Sequence, residues 1–293
     1  MGEGGRLKNV FYWAIGLNLG YVILEAVFGF SSGSMGLLSD AGHNLSDVAS
    51  LLIALIAFKA SQRPPTPRFS YGYGKATIEA SLLNAVILYV AVIFIVIEAV
   101  ERLLRPVAVD GGEIAWVAGA GVVINGVTAW MLMRHSHGDL NVRGAFLHMI
   151  ADTLVSVGVV GSGIVIGYTG WNWLDPVVGI VIALVIAVGS WSLLRESLRM
   201  ALDGVPADVD IEKVEQCIAV TDGVSSFHHL HIWPLSTTAT ALTVHVVVPD
   251  PGEIDRVTDT LRESLRKLGI AHATIEAETA ERAGCHDCVH AKQ

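Results

Sequence analysis

Residues 37–60 read LLSDAGHNLSDVASLLIALIAFKA, and residues 144–168 read GAFLHMIADTLVSVGVVGSGIVIGY. Each stretch is long and apolar enough to cross about 30 Å of hydrocarbon as a helix of about 20 residues. Each nevertheless carries ionisable side chains: His43 and Asp47 in one, His148 and Asp152 in the other. A carboxylate near a bilayer centre costs about 2.5 to 3.5 kcal/mol on insertion scales, so its presence needs a reason. Both stretches spell His-x-x-x-Asp. Residues four apart share one helix face, with Cβ atoms about 5 to 6 Å apart, so each motif presents an imidazole and a carboxylate to one point. Two such helices packed face to face supply two nitrogens and two oxygens, a tetrahedral set that suits Zn²⁺ and excludes octahedral Mg²⁺. A single pair reads equally as a histidine hydrogen-bonded to an aspartate inside a helix bundle; two identical spacings favour a metal.

Around these two segments lie four more of similar character, so that the expected spans are residues 10–30, 37–60, 77–101, 114–133, 144–168 and 174–194. Composition agrees: charged residues are 16%, the hydrophobic fraction is 52% and the mean hydropathy is +0.55, where globular domains carry about 25% charge. The first span lacks a small-residue cleavage site and is followed by further spans, so it reads as a retained helix rather than a signal peptide. Ten Lys and Arg flank one side of the six spans, against Arg102 and Arg105 on the other. The positive-inside rule then places both termini in the cytoplasm. Asp40 sits three residues before His43, on its face, either lining an access path or capping the helix start. Glu25, Glu79 and Glu98 read as helix-packing or hydration groups, and Asp175 before Pro176 as a helix N-terminus. Gly119, Gly121, Gly158, Gly161 and Gly163 read as close helix packing.

The net charge of −9 divides into −2 over residues 1–204 and −7 over residues 205–293. An acidic tail repels phosphate, which excludes nucleic acid as a partner. Three cysteines, none before Cys217, do not form a disulfide framework and fit a reduced compartment. Residues 205–283 are expected to fold as helix, strand, strand, helix, strand, at about 208–220, 224–233, 238–248, 253–268 and 271–278. Leu242, Val244, Val246 and Val248 alternate with residues that include His245, which puts His245 on the face opposite the apolar one. The same alternation puts His228 beside Leu230 and Ile232, on the apolar face. Asp250-Pro251-Gly252-Glu253 marks the turn into the second helix. His229, His231, His272 and Glu276 add further donors, and residues 284–293 form a separate tail with Cys285-His286-Asp287-Cys288, where neighbouring His and Asp favour metal over redox chemistry. Cys217, alone in a helical pattern, reads as core packing.

The paired His-x-x-x-Asp motifs resemble the cation diffusion facilitator family of zinc exporters. The phrases Ser39-Asp40-Ala41-Gly42-His43, Phe69-Ser70-Tyr71-Gly72-Tyr73-Gly74-Lys75 and His228-His229-Leu230-His231-Ile232-Trp233 strengthen the likeness. The resemblance implies a membrane bundle of six transmembrane helices, residues 1–204, followed by a cytoplasmic metallochaperone-like α+β domain. It implies that His43, Asp47, His148 and Asp152 hold the transported ion, with histidine at the first position marking the zinc and cadmium variant. His228, His245 and Glu278 match the family's cytosolic ligand positions, and Cys285 and Cys288 match a C-terminal pair of some zinc exporters. Lys75 and Asp203 match an inter-subunit charge interlock. Some members bind a further metal after the second span, but residues 63–73 contain no Asp or His, so that site is expected to be missing; His135 and His137 stand where other members carry a long histidine-rich loop.

The expected protein is a homodimeric antiporter of the bacterial inner membrane that exports Zn²⁺, with Cd²⁺ as a second cargo, in exchange for protons. Zinc is also the expected regulatory ion of the tail, drawing two subunits together. The alternatives are an intramembrane metal-dependent enzyme, against which the chain has no His-Glu-x-x-His, and a passive metal sensor or channel.

Overall fold

The computed structural model describes residues 3–32, 35–105, 111–171 and 173–279. The chain divides into two compact units, Met1–Ala201 and Leu202–Gln293.

The first unit consists of six long helices: α1 (Glu3–Ser32), α2 (Met35–Ser61), α3 (Lys75–Leu104), α4 (Gly111–Met133), α5 (Leu140–Thr169) and α6 (Leu174–Ala201). Some outrun their apolar stretch: α6 continues past residue 194 through Arg195 to Arg199, where Arg199 pairs with Glu196 at 2.7 Å across one turn. Among the described residues, Leu7–Leu24, Lys75–Leu104 and Pro176–Ala201 have the length and hydropathy of membrane spans, and Gly121–Met133 is a shorter apolar helix. Large apolar side chains face outward, with Phe94 66% and Val188 70% exposed. A patch of that kind calls for a lipid or protein partner. At the turn between α5 and α6, Trp171 stacks on Trp173 at 5.9 Å beside the exposed Tyr168, as aromatic side chains do at a bilayer surface.

α1 packs on α2, α4 on α5 and α3 on α6. One apolar cluster joins α1, α2, α4 and α5 around Phe11, Leu51, Leu132 and Met149. A second joins α3, α5 and α6 around Leu88, Val92, Ala151, Ala183 and Ile186, so α5 belongs to both. Buried polar groups tie the helices where no water competes. Asn18 Nδ2 donates to Thr128 Oγ1 at 2.9 Å, Asn141 Nδ2 to the Ala54 carbonyl at 2.9 Å, and Tyr89 to the Ala187 carbonyl at 2.6 Å. The glycines separate by position. A Cβ on Gly158 would lie 2.2 Å from Ile182 Cδ1, and one on Gly121 3.0 Å from the Tyr21 hydroxyl, so both mark close approaches. Among the described residues, Gly119 and Gly161 would meet nothing within 4 Å, so no close approach is seen at those two.

The second unit is a three-stranded sheet with two helices: α7 (Ile211–Ala219), β1 (Ser226–Ser236), β2 (Ala239–Val247), α8 (Ile254–Lys267) and β3 (Ile270–Glu278). The strand order is β1-β2-β3, with β1 antiparallel and β3 parallel to β2. Leu242, Val244 and Val246 are fully buried against Ile218 of α7 and Val257, Leu261 and Leu265 of α8. Asp210 caps α7 by accepting from the Lys213 amide, and Asp250 accepts from the Gly252 amide at the turn before α8. Gly269, at φ 90°, ends α8 in the left-handed conformation and lets the chain turn into β3.

Candidate functional site

The membrane-unit site is assembled by two helices. Asp47 of α2 is fully buried, and its Oδ1 lies 3.0 Å from His148 Nε2 of α5. The same nitrogen lies 3.7 Å from Asp152 Oδ2, one turn further along α5. His148 and Asp152 are 3% and 9% exposed. One ligand atom from each of the three falls within 4.8 Å of the others, close enough for one ion. The helical spacing of His148 and Asp152 therefore does what it implies, and α2 contributes Asp47 from across the interface. His43 lies one turn before Asp47 on α2, and the side chains of His43 and Asp40 are outside the described structure, as are those of Glu25, Glu98 and Asp175.

Beside the trio lies a cavity of about 480 Å³, walled by Leu88, Val92 and Ile95 of α3, Ala151 and Val155 of α5 and Ile186 of α6. Among the described residues, its polar groups are Asp47, His148 and Asp152, and the rest of the lining is hydrocarbon. Low-dielectric walls strengthen the electrostatic hold on whatever ion sits between the carboxylates. Sequence reasoning named the three polar residues and missed the apolar chamber. No periodic signal marks a wall made of ordinary membrane-helix residues.

The second unit gathers another cluster on its sheet. His245 of β2 places Nδ1 at 2.6 Å from Glu278 Oε1, and Nε2 at 3.5 Å from Glu276 Oε2, both on β3. His228 Nε2 of β1 lies 3.7 Å from Glu278 Oε2. The rings of His228, His229 and His245 stand 4.9 to 5.2 Å apart, centroid to centroid. Two groups could each hold an ion: the three histidines, and His245 with Glu276 and Glu278.

Strict alternation had placed His228 on the apolar face, and the structure corrects this. His228 pairs with His245, but the next pair is His231 with Thr243, so β1 carries one residue more than β2 across that interval. This is a β-bulge. Phe227, Leu230 and Ile232 pack on the core, leaving His228 and His229 adjacent and grouped with His245 instead. His229 takes φ 52°, the left-handed region. His231 is exposed and outside the cluster. Cys285, Cys288 and the whole of residues 280–293 lie outside the described residues, while Cys217 is half-buried on α7. Lys75 is the first residue of α3, and Asp203 stands at φ 58° after α6.

Residues 12–201 match the family profile described as the cation efflux transmembrane domain, and residues 206–280 match the cytoplasmic domain of cation efflux proteins. The chain is 38% identical to the zinc transporter ZitB of Escherichia coli over 98% of its length and 91% of that protein. It is 36% identical to the cadmium, cobalt and zinc/H⁺-K⁺ antiporter of Bacillus subtilis, covering 94% of this chain and 90% of the relative. It is also 38% identical to the metal cation efflux system protein CzcD of Cupriavidus metallidurans, over 91% and 85% of the two chains.

Proposed function

This chain belongs to the cation efflux family, a membrane transporter and not an enzyme, and from that premise we propose that it exports Zn²⁺, with Cd²⁺ as a second cargo, from the cytoplasm in exchange for protons. The observation that carries the reading is the buried Asp47–His148–Asp152 trio at the contact of α2 and α5. His43, one turn before Asp47, supplies the fourth donor of a tetrahedral set. Two nitrogens and two oxygens match zinc and cadmium better than the hard cations.

Proton coupling follows from competition at one atom. When His148 Nε2 carries a proton, Asp47 Oδ1 at 3.0 Å accepts its hydrogen bond. Zinc needs the lone pair on that same nitrogen, so metal binding releases the proton and protonation releases the metal. Alternating access then exposes the site to one side as a metal acceptor and to the other as a proton acceptor. All six helices cross the inner membrane of a bacterium, with both termini in the cytoplasm, and the working unit is a homodimer. Lys75 of one protomer and Asp203 of the other form its charge interlock. In the tail, His228, His245 and Glu278, with Cys285 and Cys288, bind a regulatory zinc. The deciding experiment is transport in reconstituted vesicles under an imposed pH gradient. Uphill zinc accumulation supports an antiporter, whereas movement only down the zinc gradient would establish a channel.

A further inference from the structure

The tail cluster has a feature its simple reading does not use. His229 holds a left-handed backbone at φ 52°. That region is uncommon outside glycine, and asparagine, aspartate and histidine enter it more readily than other residues. Here it coincides with the bulge between His228 and His231. Its effect is to turn two consecutive imidazoles toward a third, His245, with ring centroids 4.9, 5.1 and 5.2 Å apart. A regular strand would send His228 and His229 to opposite faces.

Glu278 has a different geometry. Its Oε1 lies 2.6 Å from His245 Nδ1 and its Oε2 3.7 Å from His228 Nε2; with the proton of His245 on Nδ1, Nε2 is the nitrogen available to an ion. A carboxylate on the far nitrogen is the usual way a ligating histidine is oriented and made more basic. Exposed Glu276, 3.5 Å from Nε2, is within reach of the remaining coordination position.

We infer that the tail holds a three-imidazole metal site, closed within one protomer, in which His229 is a ligand presented by the bulge and Glu278 is a positioning residue for His245. This rests on the tail reading above for metal at His228 and His245, and revises it by giving Glu278 a positioning role and making Cys285 and Cys288 dispensable. All three nitrogens come from β1 and β2 of a single chain, so loading requires neither a second protomer nor the terminal cysteines. A nitrogen-rich set selects borderline ions such as Zn²⁺ and Co²⁺ over Mg²⁺ and Ca²⁺.

The test uses the full-length protein in detergent, with Co²⁺ as the probe and visible absorption and metal per protomer as readouts. An Asp152→Ala background silences the membrane site, so the remaining signal reports the tail. In that background the expected result is one Co²⁺ per protomer with a tetrahedral spectrum. His229→Asn, which keeps a residue tolerant of left-handed backbone, should lower the affinity by about 100-fold or more with an unchanged circular dichroism spectrum. His229→Gly, which also relieves the backbone, should do the same while its metal-free Tm stays at or above the parent's. Glu278→Gln should retain the spectrum and lose roughly 10- to 100-fold in affinity. The Cys285→Ser, Cys288→Ser double variant should keep both spectrum and stoichiometry. Parental affinity in His229→Asn, or loss of the cobalt spectrum in the cysteine double variant, overturns the proposal. If Asp152→Ala leaves the stoichiometry of the unaltered protein unchanged, the membrane-site reading fails, and the His229 comparison still decides the tail.

Discussion

The two clusters of this protein use the same donors and reach them by opposite routes. In the membrane unit, His148 and Asp152 are one helical turn apart on α5, and a single partner helix brings Asp47 to 3.0 Å. In the tail, the histidines and glutamates come from three strands, at residues 228, 229, 245, 276 and 278. The membrane trio is buried, with Asp47 fully so; the tail site is open, with Glu276 66% exposed at its side chain. A buried trio tolerates no missing ligand, because removing a partner leaves the remaining charge buried and uncompensated. An open one can substitute water for a lost donor. The difference fits the division proposed above, with cargo at the buried trio and regulation at the open cluster.

The strongest way to break this contrast is Asp47→Ala or Asp152→Ala. Either should reduce zinc transport in vesicles by at least about 100-fold, given that loss of one ligand ruins a closed tetrahedral site, while size-exclusion profiles stay those of the parent. Full transport by either variant would remove the site from the pathway. Next in size is the interlock: Lys75→Asp should impair transport and dimer cohesion, and adding Asp203→Lys should restore part of both. Strictly additive defects in cross-linking and flux would refute the pairing.

His43→Asp replaces a borderline nitrogen with a hard oxygen, so the ratio of zinc to manganese transport should fall. An unchanged ratio in metal-competition assays would move selectivity elsewhere. The smallest effect belongs to the tail cap. The hydrogen bond from Lys213 holds the Asp210 carboxyl below its usual range. A depressed carboxylate pKa contributes stability that is present above the unfolded-state pKa, about 4, and fades as pH falls through the folded one. Asp210→Ala should therefore lower the Tm by a few degrees at neutral pH, and the gap to the parent should close in acid. A gap that is constant down to pH 2 would argue against the capping carboxylate.

Legibility in the sequence followed the range of the interactions. His148 and Asp152 stood out because a helix turns adjacent spacing into adjacent space, and Leu242, Val244 and Val246 because a strand does so with period two. The bulge did not, since one extra residue on β1 has meaning only against β2, and strict alternation therefore put His228 on the wrong face. The pairing of α3 with α6 was equally hidden: helices apolar on every side carry no stripe to say which neighbour they meet. Gly158 and Gly161 looked alike as letters, and among the described residues Gly158 alone of the two faces a close neighbour.

That contact also has a consequence for how such a chain can change over generations. A methyl group at 158 would overlap Ile182 Cδ1, the far end of a flexible side chain that can turn aside, and would stand 3.1 Å from Val178 Cγ1. A larger side chain exceeds that give and would pry α5, which bears His148 and Asp152, away from α6. Gly158→Leu should therefore cripple the protein while Gly158→Ala costs it less, so descendants of this sequence are expected to keep a small residue at this position.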